Sequence, residues 1–175
     1  MTTSPSPHRR DRRSSDEPKP YAHPACIDDD ALIQDCTWSF GRGSGPGGQH
    51  RNKVSTEATL EHTPTGIRAF AGERRKQGEN RAQAIKRLRM KLAIEVRTRT
   101  HPERHRPSPL WTKRRQGKQM SINPKHRDYP SLLAEALDVI VARKFDVAGA
   151  AGILGISMSQ LAKLIRHQKA AFARV

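Results

Sequence analysis

Hydrophobic and polar positions change period several times along this chain, and each change marks an element. From Val54 to Glu61 they alternate, with Val54, Thr56, Ala58 and Leu60 pointing one way and Ser55, Glu57, Thr59 and Glu61 the other. A period of two over that span predicts a half-buried strand. His62-Thr63-Pro64-Thr65-Gly66 then sets proline and glycine at turn spacing, and Ile67 to Ala71 predicts a return strand. Thr37 to Phe40 predicts a short strand with Trp38 and Phe40 on one face. Over Glu79 to Arg97 the period becomes helical: Ile85, Leu88, Leu92 and Val96 form one stripe, and Asn80 stands where an N-cap is expected. Asp28 to Asp35 predicts a short helix whose aspartates sit at its N-terminal end, where the dipole favours them.

Helical spacing returns near the C-terminus. Ser131 is expected to cap a helix reaching about Arg143, with Leu133, Leu137, Ile140 and Val141 apolar. Ala148, Ala151 and Leu154 form a face of small residues, and Gly155 suits a left-handed turn. Ser157 and Gln160 fit a capping box ahead of Leu161, Leu164 and Ile165. Helix, glycine turn and capped helix read as a helix-turn-helix. The segment resembles the C-terminal module of Fis-type DNA-binding proteins; an ordinary packed helical hairpin is the other reading. Its second helix offers Lys163, Arg166, His167 and Lys169 to a nucleic acid.

Four regions follow. Residues 1–26 are polar and proline-rich and are expected to be disordered. Residues 27–98 are expected to form an α+β unit, a small antiparallel sheet with a basic helix packed across it. Residues 99–127, broken by Pro102, Pro107, Pro109 and Pro124, read as a basic linker. Residues 128–175 read as an all-α, helix-turn-helix-like module. His101 and His105 are four apart, but the prolines around them argue against a helical metal pair, so no metal is expected and a solvent- or RNA-facing place is expected for both.

Charge sharpens this division. The 175 residues carry a net +16, with 34% hydrophobic positions. Residues 1–36 hold five basic and seven acidic groups, residues 37–119 twenty and six, and residues 120–175 eight and four. The central +14 favours a polyanionic partner through phosphate contacts and counterion release. Around the helix stripe stand Arg81, Lys86, Arg87, Arg89 and Lys91, which predict a phosphate-facing surface. Two cysteines, Cys26 and Cys36, lack the spacing of a zinc site or a disulfide scaffold and fit a reducing compartment. No apolar run approaches the ~20 residues of a membrane-spanning helix, and no secretory signal pattern opens the chain. A cytoplasmic, monomeric protein is expected, with a mitochondrial presequence disfavoured by Asp11, Asp16 and Glu17.

The most informative stretch is Gly41 to Ser55, GRGSGPGGQHRNKVS, with Arg42, Arg51 and Lys53 beside Gly47-Gly48-Gln49. Glycine reaches positive φ at little steric cost, so such a loop suits backbone N–H groups and one amide that must approach a substrate closely. A glutamine amide does not titrate and cannot act as a conventional general base. Its available roles are positional: a backbone N–H toward an oxyanion, and a side chain that holds one water.

From Cys36 to Arg97 the chain resembles the catalytic domain of class I peptide chain release factors, and is most similar to short, codon-independent members. The resemblance is carried by Ser44-Gly45, Gly47-Gly48-Gln49, Asn52, Ser55, Pro64-Thr65-Gly66, Arg75, Gln77, Asn80, Ala82 and Leu88. It implies entry into the ribosomal peptidyl transferase centre and hydrolysis of the ester joining nascent peptide to tRNA. It implies catalytic roles for Gly47, Gly48 and Gln49, with proton transfer supplied by the terminal ribose hydroxyl of the tRNA. RNA-contacting roles are expected for Arg42, Arg51, Lys53, Arg68, Arg74, Arg75, Lys76, Arg81, Lys86, Arg87, Arg89 and Lys91. The implied partners are large-subunit ribosomal RNA and peptidyl-tRNA. No cofactor is implied, although in the family the glutamine is often N-methylated by a dedicated methyltransferase.

Arg51, Ala71-Gly72 and Lys76 depart from the residues usual in the family and are expected to adjust RNA contacts. Stop-codon-reading members carry decoding domains upstream, whereas only about forty mostly polar residues precede this loop, so stop-codon selection is not expected. Short rescue factors carry a basic tail that enters the mRNA channel; here a helical module is expected in its place. The expected function is codon-independent ribosome rescue. The alternative is a non-catalytic RNA- or DNA-binding protein that uses the basic domain and the helix-turn-helix.

Overall fold

Alternation in the first half of the chain becomes a three-stranded antiparallel sheet in the computed structural model, which describes residues 21–41 and 56–172. After α1 (Asp29–Gln34) come β1 (Cys36–Gly41), β2 (Glu57–His62) and β3 (Ile67–Ala71), in the spatial order β1-β2-β3. The register sets Trp38 opposite Leu60 and Leu60 opposite Ala69; one step on, Phe40, Ala58 and Ala71 align. Side chains at these positions share one face of the sheet. Across that face lies α2 (Gln77–Glu95), whose Ala84, Leu88 and Leu92 close a core with Leu60, Ala69 and Ala71. The β2–β3 turn has the expected form: Gly66 sits at φ +69° and donates its N–H to His62 O at 2.8 Å.

A second core surrounds α4 (Tyr129–Ala142). Every residue from Ser131 to Ile140 is buried, because α2 covers one flank and the C-terminal helices the other. Ala134 joins the sheet-side core, while Leu132, Leu133 and Leu137 join the C-terminal core. Beyond α4 come α5 (Val147–Leu154), α6 (Met158–Arg166) and α7 (Lys169–Phe172). Asp146 caps α5 by accepting from Gly149 N at 2.9 Å. Gly155 takes the left-handed conformation at φ +68°. Ser157 caps α6 by accepting from Gln160 N at 3.3 Å, and α5 and α6 meet at 101°. Among the described residues, no single helix is long and apolar enough to cross a membrane.

Several boundaries differ from those the pattern predicts. Residues 21–26, expected within a disordered tail, are held by polar contacts to which hydropathy is blind. Pro24–Cys26 form one 3-10 turn, and the His23 ring accepts from Ala25 N at 3.0 Å. With that ring nitrogen accepting, the other donates to Val96 O at 3.3 Å. Ser131 Oγ and Arg89 Nη1 each donate to Ala25 O at 2.9 Å. Tyr21 donates to the buried Asp138 carboxylate at 2.8 Å. Asp138 also accepts from Arg97, from Thr98 N and from the Thr98 hydroxyl, tying the end of α2 to α4.

The expected linker is built structure as well. Ser108 caps α3 (Pro109–Arg114), and Trp111 is wholly buried with its indole N–H donating to Leu154 O at 2.9 Å. A hairpin follows, β4 (Arg115–Gln116) and β5 (Gln119–Met120), turning through Gly117 at φ +56°. His105 is also inside: its ring lies 3.2 Å from Glu135, which accepts from Ser108 N at 2.7 Å. One glutamate therefore gathers the segment that the prolines made look irregular.

Capping differs too. Lys76 occupies the N-cap of α2, and Asn80 is buried in the first turn. Asp128 occupies the N-cap of α4, while Ser131 is buried within that helix. Val141 and Ala148 are exposed, and Ala150 takes the buried place beside Ala151 and Leu154. β2 starts at Glu57; Val54 and Ser55 lie outside the described residues.

Candidate functional site

The glycine-rich segment joins β1 to β2, and its two ends are fixed next to each other by the sheet. Gly41 pairs with Glu57 at the last step of the β1–β2 ladder. Gly47, Gly48, Gln49, Arg42, Arg51 and Lys53 fall between those ends and outside the described residues. What the structure describes is the platform from which the segment departs.

That platform is crowded. A Cβ on Gly41 would come within 3.1 Å of Glu57 Oε2. A Cβ on Gly72 would come within 2.8 Å of the Phe70 ring and 2.9 Å of Glu57 Cγ. Glycine at 41 and 72 lets β1 and the strand exit after β3 close around the Glu57 side chain. Gly72, expected from the sequence to adjust RNA contacts, therefore has a packing role here.

Asn80 is the organising side chain on the return path. It is fully buried, and its amide nitrogen donates to Thr56 O at 2.7 Å and to Arg74 O at 2.9 Å. Its amide oxygen accepts from Arg74 N at 2.9 Å. Thr56 is the first described residue after the segment, so one carboxamide links the segment's return, the turn before α2 and α2 itself. Both donors and the acceptor of the amide are used, which suits a buried polar group.

At the opposite edge Trp38 and Phe40 stack at 5.7 Å with rings 6° from parallel. The Arg81 guanidinium lies 4.8 Å from the Trp38 ring centroid and 5.8 Å from that of Phe40, within cation–π reach. Phe40 keeps 43% of its surface exposed. Arg81 thus presents a cation and an aromatic ladder at the root of the glycine-rich segment.

The remaining expected RNA-contacting cations divide into two groups. Arg74, Arg75, Lys76 and Lys86 are exposed and, among the described residues, make no side-chain hydrogen bond or ion pair. The others have partners within the chain. Arg68 pairs with Glu61 at 2.7 Å on the sheet surface. Arg87 chelates Glu73 and donates to Phe70 O at 2.7 Å. Lys91 donates to Arg68 O at 2.7 Å. Arg89, only 12% exposed, binds Asp29 at 2.6 Å and supports the turn at Ala25. These contacts hold α1, α2 and the sheet together, so Arg89 in particular points into the fold.

Burial disfavours the charged form of two histidines. His62, buried beside the β2–β3 turn, bonds Thr65 Oγ1 at 2.8 Å, and desolvation lowers its pKa against a smaller opposing pull from Asp35. Desolvation likewise lowers that of His23. Burial pushes the Cys26 thiol up to about 12, so Cys26 is an unreactive thiol at neutral pH.

Comparison with known proteins gives a consistent result. Residues 29–131 match the family model described as the RF-1 domain. That span begins at α1 and ends inside α4, so it includes the segment 99–127. The chain is 46% identical over 56 residues to peptide chain release factor 1 of Acidiphilium cryptum (strain JF-5), covering 32% of this chain and 16% of that protein. It is 40% identical over 70 residues to peptide chain release factor 2 of Helicobacter pylori (strain Shi470), covering 38% and 19%. The same figures hold for peptide chain release factor 2 of Helicobacter acinonychis (strain Sheeba). In each case the match spans less than a fifth of the relative's own length.

Proposed function

This chain belongs to the RF-1 domain family of class I peptide chain release factors, and from that membership we propose that it promotes hydrolysis of the peptidyl-tRNA ester on the ribosome without reading a codon. The observation that carries this reading is the position of Gly47-Gly48-Gln49 on the connection between two paired strands, whose ends are pinned at Gly41 and Glu57 and whose return is held by Asn80. A tip on such a base can be carried into an RNA pocket while the sheet and α2 stay outside it. There the Gln49 N–H stabilises charge on the oxyanion or leaving oxygen, and its amide side chain orients one water. Water adds to the ester carbonyl carbon, the C–O bond to the ribose breaks, and the ribose oxygen takes a proton. Ribosomal RNA and the tRNA ribose supply the remainder of the site.

Codon independence is part of this proposal. Residues 21–35 fold back onto α2 and α4, and residues 104–172 build a cationic helical unit docked on the same helix. Arg42, Arg51, Lys53, Arg74, Arg75, Lys76, Arg81 and Lys86 would carry the phosphate contacts of the catalytic end. The decisive measurement is release of labelled peptide from ribosomes whose A site holds no codon, a sense codon or a stop codon. Equal rates support the proposal, and release confined to stop codons overturns it. Gln49→Ala should slow release with ribosome binding intact; full activity in that variant removes Gln49 from the chemistry.

A second reading, a non-catalytic nucleic-acid-binding protein, draws on the 101° junction of α5 and α6 at a glycine turn. It predicts binding to duplex nucleic acid with no peptide release under any condition.

A further inference from the structure

The C-terminal half of the chain segregates its charges. From Arg104 to the C-terminus there are four carboxylates: Asp128, Glu135, Asp138 and Asp146. None is left to offset a surface cation. Asp128 binds Arg114 at 2.6 Å and Asp146 binds Arg143 at 2.6 Å. Glu135 and Asp138 are buried in α4 and consumed by His105, Ser108, Arg97, Thr98 and Tyr21.

Two acid-free stretches, 104–127 and 147–175, are brought together as the β4–β5 hairpin and the α5–α6 pair. Three bonds lock them. The Trp111 indole donates to Leu154 O, Ser157 N donates to Lys118 O at 2.9 Å, and Arg115 Nη1 donates to Gly155 O at 3.2 Å. The hairpin is therefore a fixed wing beside α6. Between β5 and α6 runs a notch of about 170 Å³, lined by polar Gln119, Ser121, Gln160, Lys163 and His167 and by apolar Met120, Ile122 and Leu164. Exposed Lys118, Lys163 and Arg166 stand on the wing and on α6.

We propose that the β4–β5 wing and α6 together form a docking face for the phosphate backbone of a double-helical RNA. The face offers cations without competing carboxylates, and it offers amides and hydroxyls suited to phosphate and ribose oxygens. Protein partners are usually met by an aromatic-rich centre; no aromatic carbocycle lines this notch, and most of its lining side chains are polar. The notch is too small for a drug-sized ligand. The choice of RNA rests on the release reading above, which places the protein on the ribosome.

The test uses the full chain and a fluorescein-labelled 24-base-pair RNA duplex, read by anisotropy across a salt series, with a DNA duplex of equal length beside it. In the variant Lys118→Glu/Lys163→Glu/Arg166→Glu, affinity for the RNA duplex should fall more than about tenfold. The slope of log K against log salt should flatten by about two to three. The milder Lys118→Gln/Lys163→Gln/Arg166→Gln should move both in the same direction, with an unchanged circular dichroism spectrum. Unaltered affinity and slope in both variants overturn the proposal, and so does tighter wild-type binding to the DNA duplex than to the RNA. Peptide release from ribosomes is followed in parallel by the wild type. RNA docking through this face without peptide release would sink the release reading and leave the face standing; release with no effect of the substitutions on docking would do the reverse.

Discussion

The Asn80 carboxamide donates to the Thr56 carbonyl at 2.7 Å, across 24 positions of sequence, and so holds the C-terminal root of the glycine-rich segment against the first turn of α2. Because the same amide also bridges Arg74 N and O, its removal orphans two carbonyls and one N–H in a partly buried place. Asn80→Ala should cost about 2–4 kcal/mol, one net hydrogen bond being worth about 1 kcal/mol with more for groups left buried and unpaired. Urea denaturation measures the loss. Asn80→Asp should be worse near neutral pH, since a carboxylate would face two carbonyls, and should partly recover as the solution is acidified. If Asn80→Asp matches the wild type at neutral pH, the clamp is not formed as described.

Trp111→Phe keeps most of the buried ring and removes the N–H that caps Leu154 O. The expected loss is about 1–3 kcal/mol, together with weaker RNA docking at the α6 face, because the turn after α5 loses a fixed point. Differential scanning calorimetry and the duplex assay check the two halves independently. An unchanged melting temperature would count against the capping role.

Asp138 carries four donors in the heart of the structure, from Tyr21, Arg97 and Thr98. Asp138→Ala leaves the Arg97 charge without its partner and should destabilise by about 3–5 kcal/mol. Proteolysis near Tyr21 should accelerate in that variant, since the strap over α2 and α4 would lose an anchor.

The pH dependence follows from His23 and His62, both lowered by burial from an ordinary value of 6.5. Their folded pKa lies below the unfolded one, so below pH ~6.5 the unfolded chain takes up protons that the folded chain refuses. The stability they provide is complete above about pH 6.5 and is lost as pH falls toward the lowered values. Melting temperature should be flat between pH 7 and 8 and should drop below 6.5. His23→Gln and His62→Gln should each flatten that drop. A pH profile unaltered in the double variant would show that other groups govern acid stability.

Much of the sheet was legible because alternation and turn chemistry are local. β3 falls on Ile67–Ala71 as the pattern has it, and Gly66 and Gly155 take the left-handed conformations their positions suggest. What escaped was set by distant partners. Arg89 reads as a surface cation until the fold brings Asp29, 60 residues away, to its guanidinium. Asn80 reads as a cap because its residue type suits one, yet its amide is spent on Arg74, six residues back, and on Thr56, 24 residues back. The prolines of 99–127 hid a capped helix whose buried tryptophan was the available signal, and Gln116-Gly117-Lys118 marked a two-residue hairpin turn. The platform of the candidate site was thus only partly readable, and the place of Gly47-Gly48-Gln49 at its tip rests on the sequence motif, since those residues lie outside the described ones.

One helix has a mechanical consequence. The 19 residues of α2 make a strut about 28 Å long. Arg81 near its start lies beside the glycine-rich segment's root, and Ile94 near its end is set into the C-terminal core. With α4 shared between both cores, the strut has no joint. The described root of the glycine-rich segment, Gly41 and Thr56, therefore stands at a span from the C-terminal core that α2 sets, and a break in α2 would change that span.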